Sequence, residues 1–75
     1  MTTIKAIERE LSAKRVVLCR CGRGMYKMYR DAEEIGFMST LMADRRHWVH
    51  LYNPDYFTSI FSIAELRTLI LPKLC

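Results

Sequence analysis

Residues 15–30 read Arg15-Val16-Val17-Leu18-Cys19-Arg20-Cys21-Gly22-Arg23-Gly24-Met25-Tyr26-Lys27-Met28-Tyr29-Arg30. Their first seven positions are β-branched at the start and apolar on both faces, which favours a central strand over a second helix. Gly22-Arg23-Gly24 then supplies a turn. Met25 to Arg30 reads as a strand pairing back on the first, with Met25, Lys27 and Tyr29 on one face and Tyr26, Met28 and Arg30 on the other. It also reads as the front of a helix, and the choice between the two decides how much of the chain is sheet.

Upstream, Thr3 precedes Ile4, Ile7 and Leu11, a stripe at helical spacing with Lys5, Glu8, Arg9 and Glu10 off it. This predicts a short amphipathic helix ending near Ser12 to Lys14. Downstream, Asp31 followed by Glu34 has the look of a capping pair that starts a helix through Ala32 and Ile35, with Gly36 stopping it after little more than a turn. In that case Phe37 to Met42 is a strand, Asp44-Arg45-Arg46 a loop, and the aromatic run His47-Trp48-Val49-His50-Leu51-Tyr52 a further strand. Asn53-Pro54-Asp55 is a turn on chemistry alone. Tyr56 to Phe61 is an irregular crossover or a short strand. Ser62-Ile63-Ala64-Glu65 is a capping box, followed by Leu66, Leu69 and Ile70 at helical spacing and closed by Pro72.

These elements describe an α+β fold: an N-terminal helix, a three- to four-stranded antiparallel sheet and a C-terminal helix, with two helices on one sheet face and the other face partly open. A chain of 75 residues is one domain, residues 1–75. With 51% apolar and 27% charged residues it has the composition of a folding chain. No window approaches the roughly 20 apolar residues of a membrane span, so no membrane partner is expected. Met1 to Ile4 lacks a basic flank leading into an apolar core, so no secretory signal is read and the expected address is cytoplasmic, that of a bacterial host if the gene is phage-borne. Cys19, Cys21 and Cys75 are an odd set, and the close pair has the wrong spacing for an ordinary staple; reduced thiols are expected.

The net charge of +4 is unevenly spread. Lys14, Arg15, Arg20, Arg23, Lys27 and Arg30 lie in a stretch without acids, and Asp31, Glu33 and Glu34 follow it. With Tyr26 and Tyr29 interleaved, this stretch has the ingredients of phosphate neutralisation and base stacking, and Arg45, Arg46, His47 and Trp48 form a smaller cluster of the same kind. No helix-turn-helix, zinc-finger or RNA-recognition signature accompanies them. Cys21-Gly22-Arg23-Gly24 lacks the glycine spacing and the following Lys-Ser/Thr of nucleotide loops, so Arg23 is expected at a hairpin tip, placed to meet a phosphate or a carboxylate.

Cys19, Cys21, His47 and His50 are four donor groups for zinc, but only one residue separates the cysteines, against roughly two to four in structural sites, and two histidines three apart on a strand face opposite ways. No nucleophile stands beside an oriented base, and a domain this small has little room for a substrate pocket. No metal, cofactor or catalytic role is therefore expected.

What remains is binding. Aromatic, Met and Arg residues are the types enriched at interface cores. Small chains of this kind are common among phage and mobile-element products that inhibit host machinery, anti-CRISPR-type inhibitors included. The expected partner is thus a protein, with a nucleic-acid-processing complex as the specific case. A small basic DNA- or RNA-binding regulator is the alternative, and a homodimeric accessory subunit a third. The expected contact residues are Arg20, Arg23, Tyr26, Lys27, Tyr29, Arg30, Arg45, Arg46 and Trp48.

Overall fold

The computed structural model describes residues 3–40, 46–53 and 55–74. Helix α1 (Ile4–Ser12) starts where the sequence places it: Thr3 is extended, and its hydroxyl accepts from the Ala6 N–H at 3.2 Å. Ile7 and Leu11 of the stripe are fully buried. At its end Val16 N–H donates to Leu11 O and Arg15 N–H to Ser12 O, the bond pair of a Schellman turn, with Arg15 at φ 61 where glycine is usual.

Among the described residues five strands follow: β1 (Val17–Gly22), β2 (Met25–Arg30), β3 (Glu33–Ser39), β4 (His47–Tyr52) and β5 (Asp55–Ile60). They form one sheet in chain order, every neighbouring pair antiparallel. The α+β class is as expected, but the sheet has five strands instead of three or four. Two local readings account for the difference. Asp31 and Ala32 do not cap a helix; with φ of 53 and 66 they are the two positive-φ residues of a tight hairpin turn closed by the Arg30–Glu33 pair. Met25 to Arg30 is accordingly a strand. Tyr56 to Phe61 is no crossover either, because its first five residues belong to β5, paired along all of β4.

Gly36 does not stop a helix but permits a crossing. A Cβ there would lie 2.8 Å from the His50 carbonyl oxygen and 3.1 Å from Leu51 Cδ2, so only glycine lets β3 pass β4 at this point. The register slips beside it, from Met28–Gly36 to Tyr29–Glu34, leaving Ile35 as the extra residue of a bulge. Strand β1 is an edge strand and not a central one. In a meander the first strand has a neighbour on one side only, and Val17 and both its cysteines are exposed.

The second helix is short and irregular. Ser62 Oγ accepts from Glu65 N–H at 3.2 Å while the Glu65 carboxylate reaches back to the Phe61 N–H at 2.7 Å, a capping box displaced by one residue. Helix α2 (Ile63–Glu65) then widens into a π-helical turn, Leu66–Ile70, and tightens to a 3-10 turn, Leu71–Leu74. Pro72 therefore does not end the helical path. Lacking an N–H, it cannot extend the α-helical ladder, and the chain continues in the tighter winding.

Leu18, Met28, Met38, Val49, Leu51 and Ile60 bury their side chains on one sheet face beneath Ile7 and Leu11 of α1 and Leu66, Ile70 and Leu74 of the C-terminal turns. Each fully buried side chain of this size contributes about 1.5–3 kcal/mol of transfer free energy. Arg30 clasps this layer together from within. Its guanidinium donates twice to the Lys14 carbonyl and once to that of Leu74, joining the end of α1 to the last turn. Among the described residues no helix is long and apolar enough to cross a membrane.

Candidate functional site

With both helices on one side, the other face of the sheet is left open, as its alternation requires. Cross-strand register makes one row of Cys19, Lys27, Phe37, His50 and Phe57, and a second of Met25, Ser39, Trp48 and Ser59. Phe37, Ser39, Trp48, His50 and Phe57 line an open depression of about 400 Å³. Phe57 is 63% exposed, and its ring stacks against Trp48 at 5.7 Å between centroids and meets His50 edge-on at 5.9 Å. These are the offset and edge-to-face geometries aromatic rings prefer. The Trp48 indole N–H has no acceptor among the described residues, so ring packing, not a polar bond, places it.

A polar chain borders the depression. His50 Nε2 bonds Asp55 Oδ1, the Tyr52 ring meets His50 edge-on at 5.3 Å, and the Tyr52 hydroxyl donates to Glu34 Oε2 at 2.6 Å. Lys27 Nζ stands 3.7 Å from the other oxygen of Glu34. Donating to a carboxylate disfavours ionisation of the phenol. That hydrogen bond, helped by desolvation and by the charge of Glu34, pushes the Tyr52 pKa up to about 12.

Of the nine residues expected from sequence, the eight that the structure describes do not gather. Lys27, Tyr29 and Trp48 share the open face, and Arg46 reaches its margin, donating to Ser59 Oγ at 3.3 Å with its guanidinium 5.5 Å from the Phe61 ring centroid. Tyr26 packs against the core on the helix side. Arg20 shares the face of Leu18 and turns back to the Gly22 carbonyl, Arg23 stands exposed at the β1–β2 turn, and Arg30 is the internal clasp described above. Arg45 lies outside the described residues, as do Met42, Asp44, Pro54 and Cys75. Phe37, Ser39, His50 and Phe57 were missed, although period-two alternation from Trp48 along β4 points to His50 and Tyr52.

The potential zinc donors are also separated. His47 is buried on the helix side while His50 is on the open face, and Cys19 is three strands from His50, about 14 Å at the usual strand spacing. No family, no curated protein and no solved structure matches the chain.

Proposed function

We propose that this chain is a non-enzymatic binding module that acts by covering a surface of a partner protein with the open face of its sheet. The observation that carries the reading is the aromatic depression of half-buried Phe37, Trp48 and His50 with exposed Phe57, set on regular strands and bordered by Lys27, Glu34, Tyr52 and Asp55. An apolar centre with a polar rim is the anatomy of a protein interface, and rigid aromatic anchors are its usual hot spots.

The distribution of charge favours protein over nucleic acid as the occupant. A phosphate-tracking groove needs a row of cations along its floor. Here Lys27 is paired with Glu34, Arg30 is turned to backbone carbonyls, and the face carries the carboxylates of Glu34 and Asp55. The more specific form of the proposal is an inhibitor that covers a working surface of a nucleic-acid-processing complex in the host of a phage or mobile element.

Tagged protein is used to capture partners from a bacterial lysate with and without nuclease, beside Phe37→Ala and Phe57→Ala variants whose fold is checked by circular dichroism. The reading expects one stoichiometric protein that survives nuclease and is lost at least tenfold in both variants, the scale of a hot-spot truncation of about 2 kcal/mol. Nucleic acid captured alone and released by salt would transfer the assignment to the regulator alternative. If the captured protein belongs to a nuclease complex, inhibition of its cleavage activity tests the inhibitor form.

A further inference from the structure

Among the described residues, β5 is an edge strand with no lysine, proline or bulge of its own; Lys73 lies over the Tyr56 ring, on the helix side of the sheet. Sheets ordinarily guard such edges with lysine, proline or a bulge. Edge strand β1 has a register break between Arg20 and Gly22 and a charge at Arg20. Strand β5, Asp-Tyr-Phe-Thr-Ser-Ile, has unbroken register against β4 and one charge, at its first residue. We infer that β5 pairs antiparallel with β5 of a second copy of this chain, about a two-fold axis at Phe57, joining the two sheets into one of ten strands with both open faces on the same side.

The register follows from hydrogen-bond direction and side-chain parity. Tyr52 pairs with Asp55 as the closing pair of the β4–β5 hairpin, so Asp55, Phe57 and Ser59 bond inward to β4, and Tyr56 and Thr58 turn their N–H and C=O groups outward. Opposed residues in an antiparallel pair share a face. Tyr56 exchanging bonds with Thr58 of the second copy therefore sets Phe57 against its own symmetry mate on the open face, and Asp55 against Ser59.

Charge complementarity selects this register. Arg46 donates to Ser59 Oγ, so an Asp55 carboxylate of the second copy placed opposite Ser59 arrives beside the Arg46 guanidinium, twice by symmetry. The Asp55 side chain is 82% exposed, open to that second contact while bonded to His50. The two Phe57 rings, each 63% exposed in the single chain, cover one another and extend the aromatic surface across the axis.

This pairing does not depend on the docking role of the open face, and Thr58→Pro tests it without touching that face: the proline removes an outward N–H and spares the bonds to β4. Sedimentation and light scattering of the wild type are expected to move from the 8.9 kDa chain mass to twice that value as concentration rises through the micromolar range, on the order expected of a small interface. Thr58→Pro is expected to stay at the single-chain mass with an unchanged far-ultraviolet spectrum. Should Thr58→Pro fail to fold, the register is read by oxidation in a Cys19→Ser, Cys21→Ser, Cys75→Ser background. Phe57→Cys is expected to cross-link to a dimer, because the axial pair has the Cα spacing a disulfide needs, and Ser59→Cys is not. A wild type that stays at single-chain mass to millimolar concentration, a folded Thr58→Pro that dimerises undiminished, or equal cross-linking at both cysteines would overturn the inference.

Discussion

Replacing Ala32 with glycine is expected to stabilise the protein. Ala32 occupies the second position of the β2–β3 turn at φ 66, beside Asp31 at φ 53. For an L-residue with a Cβ, the left-handed region costs about 1–2 kcal/mol; aspartate offsets part of this through local hydrogen bonding, and alanine has no such means. Glycine removes the strain but gives the unfolded chain more freedom, a loss of about 0.4–1 kcal/mol. The net gain is about 0.5–1 kcal/mol, which for a domain of this size raises Tm by about 2–8 °C. Thermal unfolding followed by far-ultraviolet circular dichroism measures it, with Ala32→Val alongside. A β-branched residue suffers most at positive φ, so valine should lower Tm. If Ala32→Gly leaves Tm unchanged or lowers it, Ala32 is not strained and the hairpin geometry is wrong at its turn.

Gly36→Ala brings a methyl to 2.8 Å from the His50 carbonyl oxygen and 3.2 Å from Met28 Sδ, and should lower the urea midpoint by an amount equivalent to about 1–3 kcal/mol. Arg30→Ala leaves the Lys14 and Leu74 carbonyls without their charged donor, a loss of about 1.5–3 kcal/mol in chemical denaturation, and Arg30→Lys should rescue little because an ammonium lacks the planar fork. Ultraviolet titration of phenolate should show a transition near pH 12 that Tyr52→Phe abolishes. Because that folded-state pKa is raised from 10.0 to about 12, the Tyr52–Glu34 bond stabilises fully below pH 10 and is lost as pH climbs through 12. A Tyr52→Phe protein with the same alkaline unfolding midpoint as wild type would count against that bond.

Local chemistry settled the ends of this molecule. The Thr3 cap, the Ile4–Ile7–Leu11 stripe and the Ser62–Glu65 box act within four residues of themselves, and each lies where its residues place it. So do β4 and the turn at Gly22-Arg23-Gly24, where alternation and a glycine at φ 66 agree. The aromatic face was half legible: Trp48 was identified and an open sheet face expected, but not its other members.

The middle of the chain was decided by distant neighbours. Asp31, Glu34 and Gly36 form a coherent helix signal at short range. That signal is overridden because Met28 and Met38 must reach one core together with Val49 and Leu51, which are far along the chain, and only strands in register do this. The basic stretch shows the same limit. Of six cations in sequence, Arg20, Arg23, Lys27 and Arg30 fall in the β1–β2 hairpin, and a hairpin sends alternate residues to opposite faces, so Arg30 turns inward as a clasp while Lys27 turns outward to Glu34. Charge order along the chain belongs to the sequence, whereas which charges share a surface is set by strand parity and register.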